Sequence, residues 1–468
     1  MKIGIVGGGA TGIITSIVAS NFLRSRQRPV TIDIFESGLP FRGRAFNTDS
    51  DNMLLNTSVG VSSIDPFDDR GFHNYLKHHE GSPVGLGDVV PRDAARRYFQ
   101  SEYARASRET SNSRIIPARV DHVSVDEKGQ PWVHSNAGLN SYDAIVLATG
   151  LQFKPAPEAV QGLNVISPYP ADRLSGIDKD ASILLLGGSL SAVDALVHLA
   201  SVGHRGPIRI HSRSGMFPAV RRQVVKPASR TLLEQYLAQV ETRAPNELRS
   251  FLLIELLDRY VERAGMRLAD FFPAASRGGF GQLDREIHLC EDGQNVWEPV
   301  MMDIIDGLNH IWPNLLAEEK RHFHELVIGP WLGRLVTAMP LRNAVIVRSL
   351  FERGQLCSIG TDELTAQKVG CYHIVINATG LQRALADPLL ASMANYGSLR
   401  FNASGGVAID ALSHRLHVDT PIYANGPIIQ DEIFTANSVY SAVHGAHRIA
   451  VDLLGITNRK ELPALSGL

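Results

Sequence analysis

The chain has 468 residues, 44% hydrophobic and 20% charged, with a formal net charge of −2. That length suggests two or three domains, and the composition is ordinary for a soluble globular enzyme. With no long basic run, nucleic acid is excluded as the main partner. Three scattered cysteines, Cys290, Cys357 and Cys371, form no CxxC pair. They fit a reducing cytoplasm, give no disulfide or zinc framework, and each reads as a small buried hydrophobe.

Residues 2–6 form a short apolar strand, and an apolar helix runs to about Leu23. The run from Lys2 to Ala19 has the outline of a signal peptide, but Gly7, Gly8, Gly9 and Gly12 interrupt it. No other stretch reaches the roughly 18 apolar residues of a membrane span. The expectation is a cytoplasmic protein with no membrane partner. Between strand and helix stands Gly7-Gly8-Gly9-Ala10-Thr11-Gly12, a GxGxxG. Gly7 permits the tight turn, Gly9 lets the backbone approach a pyrophosphate, and Gly12 lets helix pack on strand. The pyrophosphate then sits on the free N–H groups of the helix start. Residues 30–35 form a second strand ending at Glu36, 24 residues past Gly12. An acid there takes a ribose hydroxyl pair and repels a 2′-phosphate. The site therefore takes FAD or NAD, which sequence physics alone does not separate.

Residues 41–65 read as loop and 92–108 as a polar-faced helix. Strands at 120–125, 132–134 and 142–148 make an antiparallel meander delivering into Ala148-Thr149-Gly150. A second strand, 182–186, enters Gly187-Gly188-Ser189-Leu190-Ser191-Ala192 and a helix to about Ser201, followed by a strand at 208–211. This GxSxxA is either a relaxed dinucleotide turn or an ordinary strand–helix turn. Arg213 after the next strand either grips a 2′-phosphate of NADP or is a solvated loop cation. Arg221, Arg222 and Lys226 are nearby cations that serve a phosphate or an acidic substrate, or only the surface.

From about Arg221 to Ala338 the spacing turns helical, at 232–239, 248–264, 300–309 and 316–332. Strands resume near Leu356 and at 373–376, ending in a second Ala378-Thr379-Gly380, and a last helix runs from about Asn437 to Leu454. Small residues after each strand let the backbone pass beneath a dinucleotide. Gly187 to Ser191 lacks the second glycine of a nucleophile elbow, and His322 to Glu325 lacks HExxH spacing, so no metal or hydrolase site is expected. Trp297, Trp312 and Trp331 read as core.

Taken together, GGGATG, Glu36, the meander into VLATG, the GGSLSA turn and the second NATG resemble the two-dinucleotide-binding-domain flavoproteins. These include the flavin-containing monooxygenases and the N-hydroxylating monooxygenases of lysine and ornithine. A bacterial family described only as FAD/NAD(P)-binding proteins is similar in residues 43–62, where its Asn falls on Asn56. It is similar too from Trp297-Glu298-Pro299 to Trp331 and in Tyr423-Ala424-Asn425-Gly426-Pro427, where the flavin ring is held. The family's basic run after the last tryptophan is absent: Arg334 precedes Leu335, Val336 and Thr337. The substrate is therefore expected to differ.

The resemblance implies an α/β fold with two three-layer Rossmann-like dinucleotide-binding domains and an α-helical insertion. FAD binding takes 1–165 and 382–468, NAD(P) binding 166–220 and 339–381, and the insertion 221–338. It adds Arg44, Val120, Gly426 and Pro427 to a cofactor set of Gly7, Gly9, Ala10, Thr11, Gly12, Glu36, Ala148, Thr149, Gly150, Gly187, Ser189, Leu190, Ser191 and Arg213. Asn56 is the candidate polar group beside the flavin ring or nicotinamide, its alternative being a loop-capping amide. The cofactors implied are FAD and NADPH (or NADH), the partners a small-molecule substrate and dioxygen, with oligomeric state open and a homodimer one option. The implied activity transfers one oxygen through a flavin C4a-hydroperoxide to a nitrogen, in biosynthesis. An oxidoreductase without oxygen insertion and a non-catalytic FAD-bound interaction protein are the alternatives.

Overall fold

The computed structural model describes residues 1–110, 113–224, 279–295, 297–364, 369–417 and 419–455, with a few isolated positions between 225 and 278. Strand β1 (Lys2–Val6) enters the first glycine turn and helix α1 (Ala10–Ser25), and β2 (Thr31–Phe35) returns beside β1 with Val6 opposite Phe35. Helix α2 (Arg92–Thr110) leads into β3 (Ser113–Ile116), which pairs with the far side of β2.

The meander departs from expectation. Its third strand is β6 (Gly138–Ser141), following β4 (Val120–Val125) and β5 (Pro131–Ser135). Strand β7 (Ala144–Leu147) leaves it and pairs in parallel with β1. Tyr142 is the pivot: its N–H still donates to Pro131 O, while its hydroxyl donates to buried Asp33 at 2.9 Å. The cause is burial. Ala144 to Leu147 is buried throughout, which suits an inner strand of a parallel sheet and not a meander edge.

Strands β8 (Val165–Ile166) and β9 (Ile183–Leu186) open a second sheet, joined through helix α3 (Leu190–Ser201) by β10 (Ile208–His211). Strands β11 (Val220–Arg221) and β12 (Met339–Pro340) pair in parallel and clasp the two ends of the insertion. Strands β13 (Leu356–Ser358) and β14 (Ile374–Asn377) complete the second sheet, whose order is β13-β10-β9-β14-β8, all parallel. The chain then returns to the first sheet with β15 (Arg415–His417) and β16 (Thr420–Ala424), giving β15-β16-β7-β1-β2-β3. Only the β15–β16 pair of that sheet is antiparallel.

Helices α1, α2 and α4 (Val439–Leu453) bury one face of the first sheet through Ile13, Ile17, Phe99, Val443 and Ile449. The meander and the helix Pro388–Asn395 cover the other. The first sheet is thus the middle of three layers; helices Leu190–Ser201, Phe280–Glu291 and Leu341–Glu352 bury one face of the second, to which Val165 already belongs.

Within the insertion, helices Glu298–Ile311 and Ala317–Phe323 continue into a π-helical stretch, His324–Leu332. Trp297, Trp312 and Trp331 are buried together in its core. The helices expected at 232–239 and 248–264, and Lys226, lie outside the described residues. Among the helices that went unread are Phe280–Glu291 and, beyond the insertion, Leu341–Glu352, although Leu283, Ile287 and Cys290, then Ala344, Val347 and Leu350, mark one face of each. Cys290 is buried and its thiol is pushed up to about 12 by burial, so it is inert. Cys371 corrects expectation, being exposed. Among the described residues, no helix is long and apolar enough to cross a membrane, and no three His, Cys, Asp or Glu side chains gather as a metal site.

Candidate active site

The two sheets present their strand ends to one cleft of about 1500 Å³. On the first side, Gly7 turns with φ +109°, and a β-carbon there would fall on the carbonyl oxygen of Ala148. Gly12 faces Gly7 O so closely that no side chain fits, which brings α1 onto β1. No acid occupies the first turn of α1, and no side chain caps it. Its free N–H groups therefore remain for an anion. Glu36 accepts the Gly8 N–H at 2.8 Å and the Gly38 N–H at 2.7 Å. A carboxylate offers about four lone-pair sites, so acceptor capacity remains for ribose hydroxyls.

Residues 41–47 pass over this turn. The Phe41 N–H donates to Gly8 O at 2.8 Å, and a β-carbon on Gly9 would lie 3.3 Å from Gly43 Cα. The segment delivers Arg44 into the cleft, where Nη2 donates to Gln152 Oε1 at 2.6 Å and the guanidinium lies 5.0 Å over the Phe153 ring. Its Nη1 is buried without a protein partner, and burial pushes its pKa down. A phosphate would satisfy both deficits. Behind the turn, Gly426 packs on Thr11, where a β-carbon would lie 2.7 Å from the Thr11 side chain. Pro427, Asn437 and Ser438 line the cleft at the start of α4, whose N-cap Ser438 accepts the Ser441 N–H at 3.0 Å. This helix end favours a negative charge placed beside it.

The second side repeats the first. Gly187 has φ +111°, and a β-carbon there would fall on Ala378 O as one on Gly7 falls on Ala148 O. The Gly187 N–H donates to His211 O at 2.8 Å, as Gly7 donates to Phe35 O at 2.9 Å. A β-carbon on Gly188 would meet Ser212 Cβ at 2.8 Å, as one on Gly8 meets Glu36 Cβ at 2.7 Å. Ser212 therefore stands where Glu36 stands, with Arg213 next to it in the cleft wall. The signal was legible, since each is the residue directly after its strand. The twin ATG segments have the same explanation: each Ala carbonyl backs onto the first glycine of its own turn.

Of the residues expected to bind cofactor, Gly7, Gly9, Ala10, Thr11, Glu36, Arg44, Ala148, Thr149, Gly150, Gly187, Ser189, Leu190, Ser191, Arg213 and Pro427 all line this cleft, and so does Asn56. Gly12 and Gly426 support it from behind, and Val120 lies in the core under the meander instead. Arg221 is corrected to a buried residue outside the cleft, its pKa pushed down to about 10 by burial. Arg222 lies outside it too, its N–H bonded to Glu298 at 3.0 Å. Sequence reading missed Gln152, Phe153, Tyr169, Ser212, Gly329, Gly333, Thr337, Asn437 and Ser438 in the wall.

Residues 4–152 match the model of a family described as FAD-NAD(P)-binding. No curated protein matches the sequence. Among solved structures, the reduced ornithine hydroxylase of Pseudomonas aeruginosa is 14% identical over 97% of this chain and 98% of its own, with a TM-score of 0.57. An L-lysine 6-monooxygenase from Pseudomonas syringae is 15% identical over 97% and 99%, with a TM-score of 0.53. The ornithine N-hydroxylase of Kutzneria sp. 744, solved with reduced FAD, NADP+ and L-ornithine, is 12% identical over 97% and 99%, with a TM-score of 0.54. Residues 4–152 thus match an FAD-NAD(P)-binding family, and the chain shares its fold with these N-hydroxylating monooxygenases.

Proposed function

We propose that this protein is an FAD-dependent, NADPH-using monooxygenase that oxygenates the nitrogen of a small molecule. The observation that carries the proposal is the pair of matched glycine turns on one cleft, with Glu36 after one and Ser212-Arg213 after the other. Glu36 suits an adenosine with free ribose hydroxyls, as in FAD. Ser212 removes the repelling carboxylate from the second turn, and Arg213 adds a guanidinium for a 2′-phosphate. NADPH is thereby favoured over NADH.

Bound flavin supplies the redox and oxygen chemistry; the chain orients both nucleotides and the substrate and keeps water out. Overall, NADPH, a proton, dioxygen and the substrate nitrogen yield NADP+, water and an N–OH group. Arg44 would hold a pyrophosphate, and the start of α4 would stabilise negative charge on the ring. The remaining wall, with Asn56, Thr57, Gly329, Gly333, Thr337 and Asn437, is neutral and lightly polar. Glu36 is the only acid lining the cleft among the described residues, and of its arginines Arg42, Arg92 and Arg334 are paired with Asp49, Asp194 and Glu286, which leaves Arg44 and Arg213 to set the field. Such a field disfavours an ammonium and favours the free amine, whose lone pair accepts the oxygen. Asn56 is proposed to orient that amine or the nicotinamide amide.

The test follows oxygen uptake and hydrogen peroxide release with NADPH and a panel of small primary amines. For a substrate, peroxide should fall well short of oxygen consumed, with a hydroxylamine making up the difference. Peroxide equal to oxygen with every compound would leave an oxidoreductase without oxygen insertion.

A further inference from the structure

We propose that Arg92, Tyr169 and Asp194 form a buried lock that sets the two dinucleotide-binding sheets at the angle hydride transfer needs, which makes Asp194 a positioning residue. The proposal rests on the FAD and NADPH reading above. Arg92 begins α2 on the first side, and Asp194 lies near the start of α3, directly after the second glycine turn. Their side chains are 5% and 3% exposed, and Nη2 of Arg92 lies 2.7 Å from Oδ2 of Asp194. Tyr169, between β8 and β9 on the second side, donates its hydroxyl hydrogen to Asp194 and accepts from Arg92 Nη1 at 3.1 Å.

The same guanidinium also holds backbone of the first side. Nε donates to Leu54 O at 3.0 Å and Nη1 to Ala45 O at 3.4 Å. Those two carbonyls bracket the segment that follows Arg44 and leads to Asn56. Tyr169 also stacks on Phe153 at 5.8 Å, the ring over which Arg44 lies. One carboxylate on the NADPH side is thus bonded, through one guanidinium, to the loop that would border the flavin.

The linkers explain why a lock is needed. Where the chain passes between the sheets, its two crossings pair: the Lys154 N–H donates to Gly380 O at 3.0 Å and the Gln382 N–H to Gln152 O at 2.7 Å. Such a hinge by itself fixes separation more than rotation, so the angle is set by contacts away from it: the insertion reaches the first side through Trp312 and Lys320 to Asp431 O and Asn309 to Thr435, and the buried lock does so beside the cleft. Burying an ion pair adds little net stability, because desolvation consumes the Coulombic gain, so its value lies in fixing one arrangement. Burial works against the charge on Arg92, and Asp194 with Tyr169 more than offsets it.

The test uses the full-length, FAD-loaded Asp194→Asn variant. Amide hydrogen exchange should rise at residues 45–55, across the cleft from the substitution. NADPH should reduce the flavin about 10-fold more slowly or worse, with NADP+ affinity changed by less than about threefold. Exchange raised only within residues 190–201, or reduction at the unmodified rate, overturns the lock. If Asp194→Asn does not fold, Arg92→Met combined with Asp194→Leu removes the pair without stranding a charge. That double variant should be reduced equally slowly, and reduction at the unmodified rate overturns the proposal. Should NADPH fail to reduce the unmodified protein, the functional reading falls, and hydrogen exchange alone then decides the lock.

Discussion

Ser212 and Glu36 occupy one step of two copies of the same turn, and the difference between them is a single carboxylate. On the proposed function, that residue and its neighbour set the choice of cofactor. Replacing Arg213 with Ala is expected to cut the NADPH-over-NADH preference for flavin reduction by about 10-fold to 100-fold, the loss of a charge-assisted phosphate contact. Ser212→Glu should push the preference further toward NADH. Stopped-flow reduction with each nucleotide measures both, and unchanged ratios would remove these two residues from phosphate recognition. Glu36→Ala breaks the two backbone bonds and loses the ribose acceptor. About 2 kcal/mol is expected, a roughly 30-fold weaker hold on FAD. The ratio of flavin to protein absorbance after dialysis reads it directly. Glu36 was legible from position alone, because an acid after the second strand has few other reasons to be there. Arg92, Tyr169 and Asp194 were not legible: they meet through tertiary packing, and none sits in a local pattern.

At the scale of elements, the glycine turns form where they do because a carbonyl lies directly beneath each. Gly7→Ala and Gly187→Ala both combine a positive φ with collision against backbone, so both are strained wherever space is found. Their consequences should separate. Gly7→Ala is expected to purify without flavin. Gly187→Ala should keep its visible spectrum but lose reduction by NADPH, because only the second turn is disturbed. Equal FAD content and equal reduction rates across the two variants would deny the division of labour. The glycine turns and their strands were readable because periodicity, turn and small residues agree there. The meander strand was misread because apolar run length alone cannot say which sheet a strand joins. Strand β3 was missed for a related reason: in Ser113-Arg114-Ile115-Ile116, two polar residues hide a short edge strand.

Over the whole molecule, two buried histidines set a pH limit on the fold. His414 is pushed down to about 3 and His447 to about 4, burial first, with Arg448 adding to both. His414 Nδ1 donates to Ala424 O at 3.0 Å, while His447 lies edge-on between Phe22 and Phe67 with Nε2 unpartnered. Unfolded, each takes a proton near pH 6.5, so between that value and its folded pKa the unfolded chain binds more protons. Stability should therefore be full above about pH 6.5 and fall by up to about 1.4 kcal/mol per histidine per pH unit below it. Urea unfolding at pH 7.5 and 5.5 checks this, and His447→Leu should flatten the difference. Equal midpoints at the two pH values would mean that these rings are protonated in the folded state.

Two matched nucleotide sites on one cleft form the central claim, and anaerobic titration of the purified, FAD-loaded protein with NADPH and then NADH tests it most directly. Flavin absorbance is expected to bleach with NADPH at least about 10-fold faster than with NADH, the ratio set by one charge-assisted phosphate contact. A protein that purifies with flavin but is bleached by neither nucleotide would contradict the account.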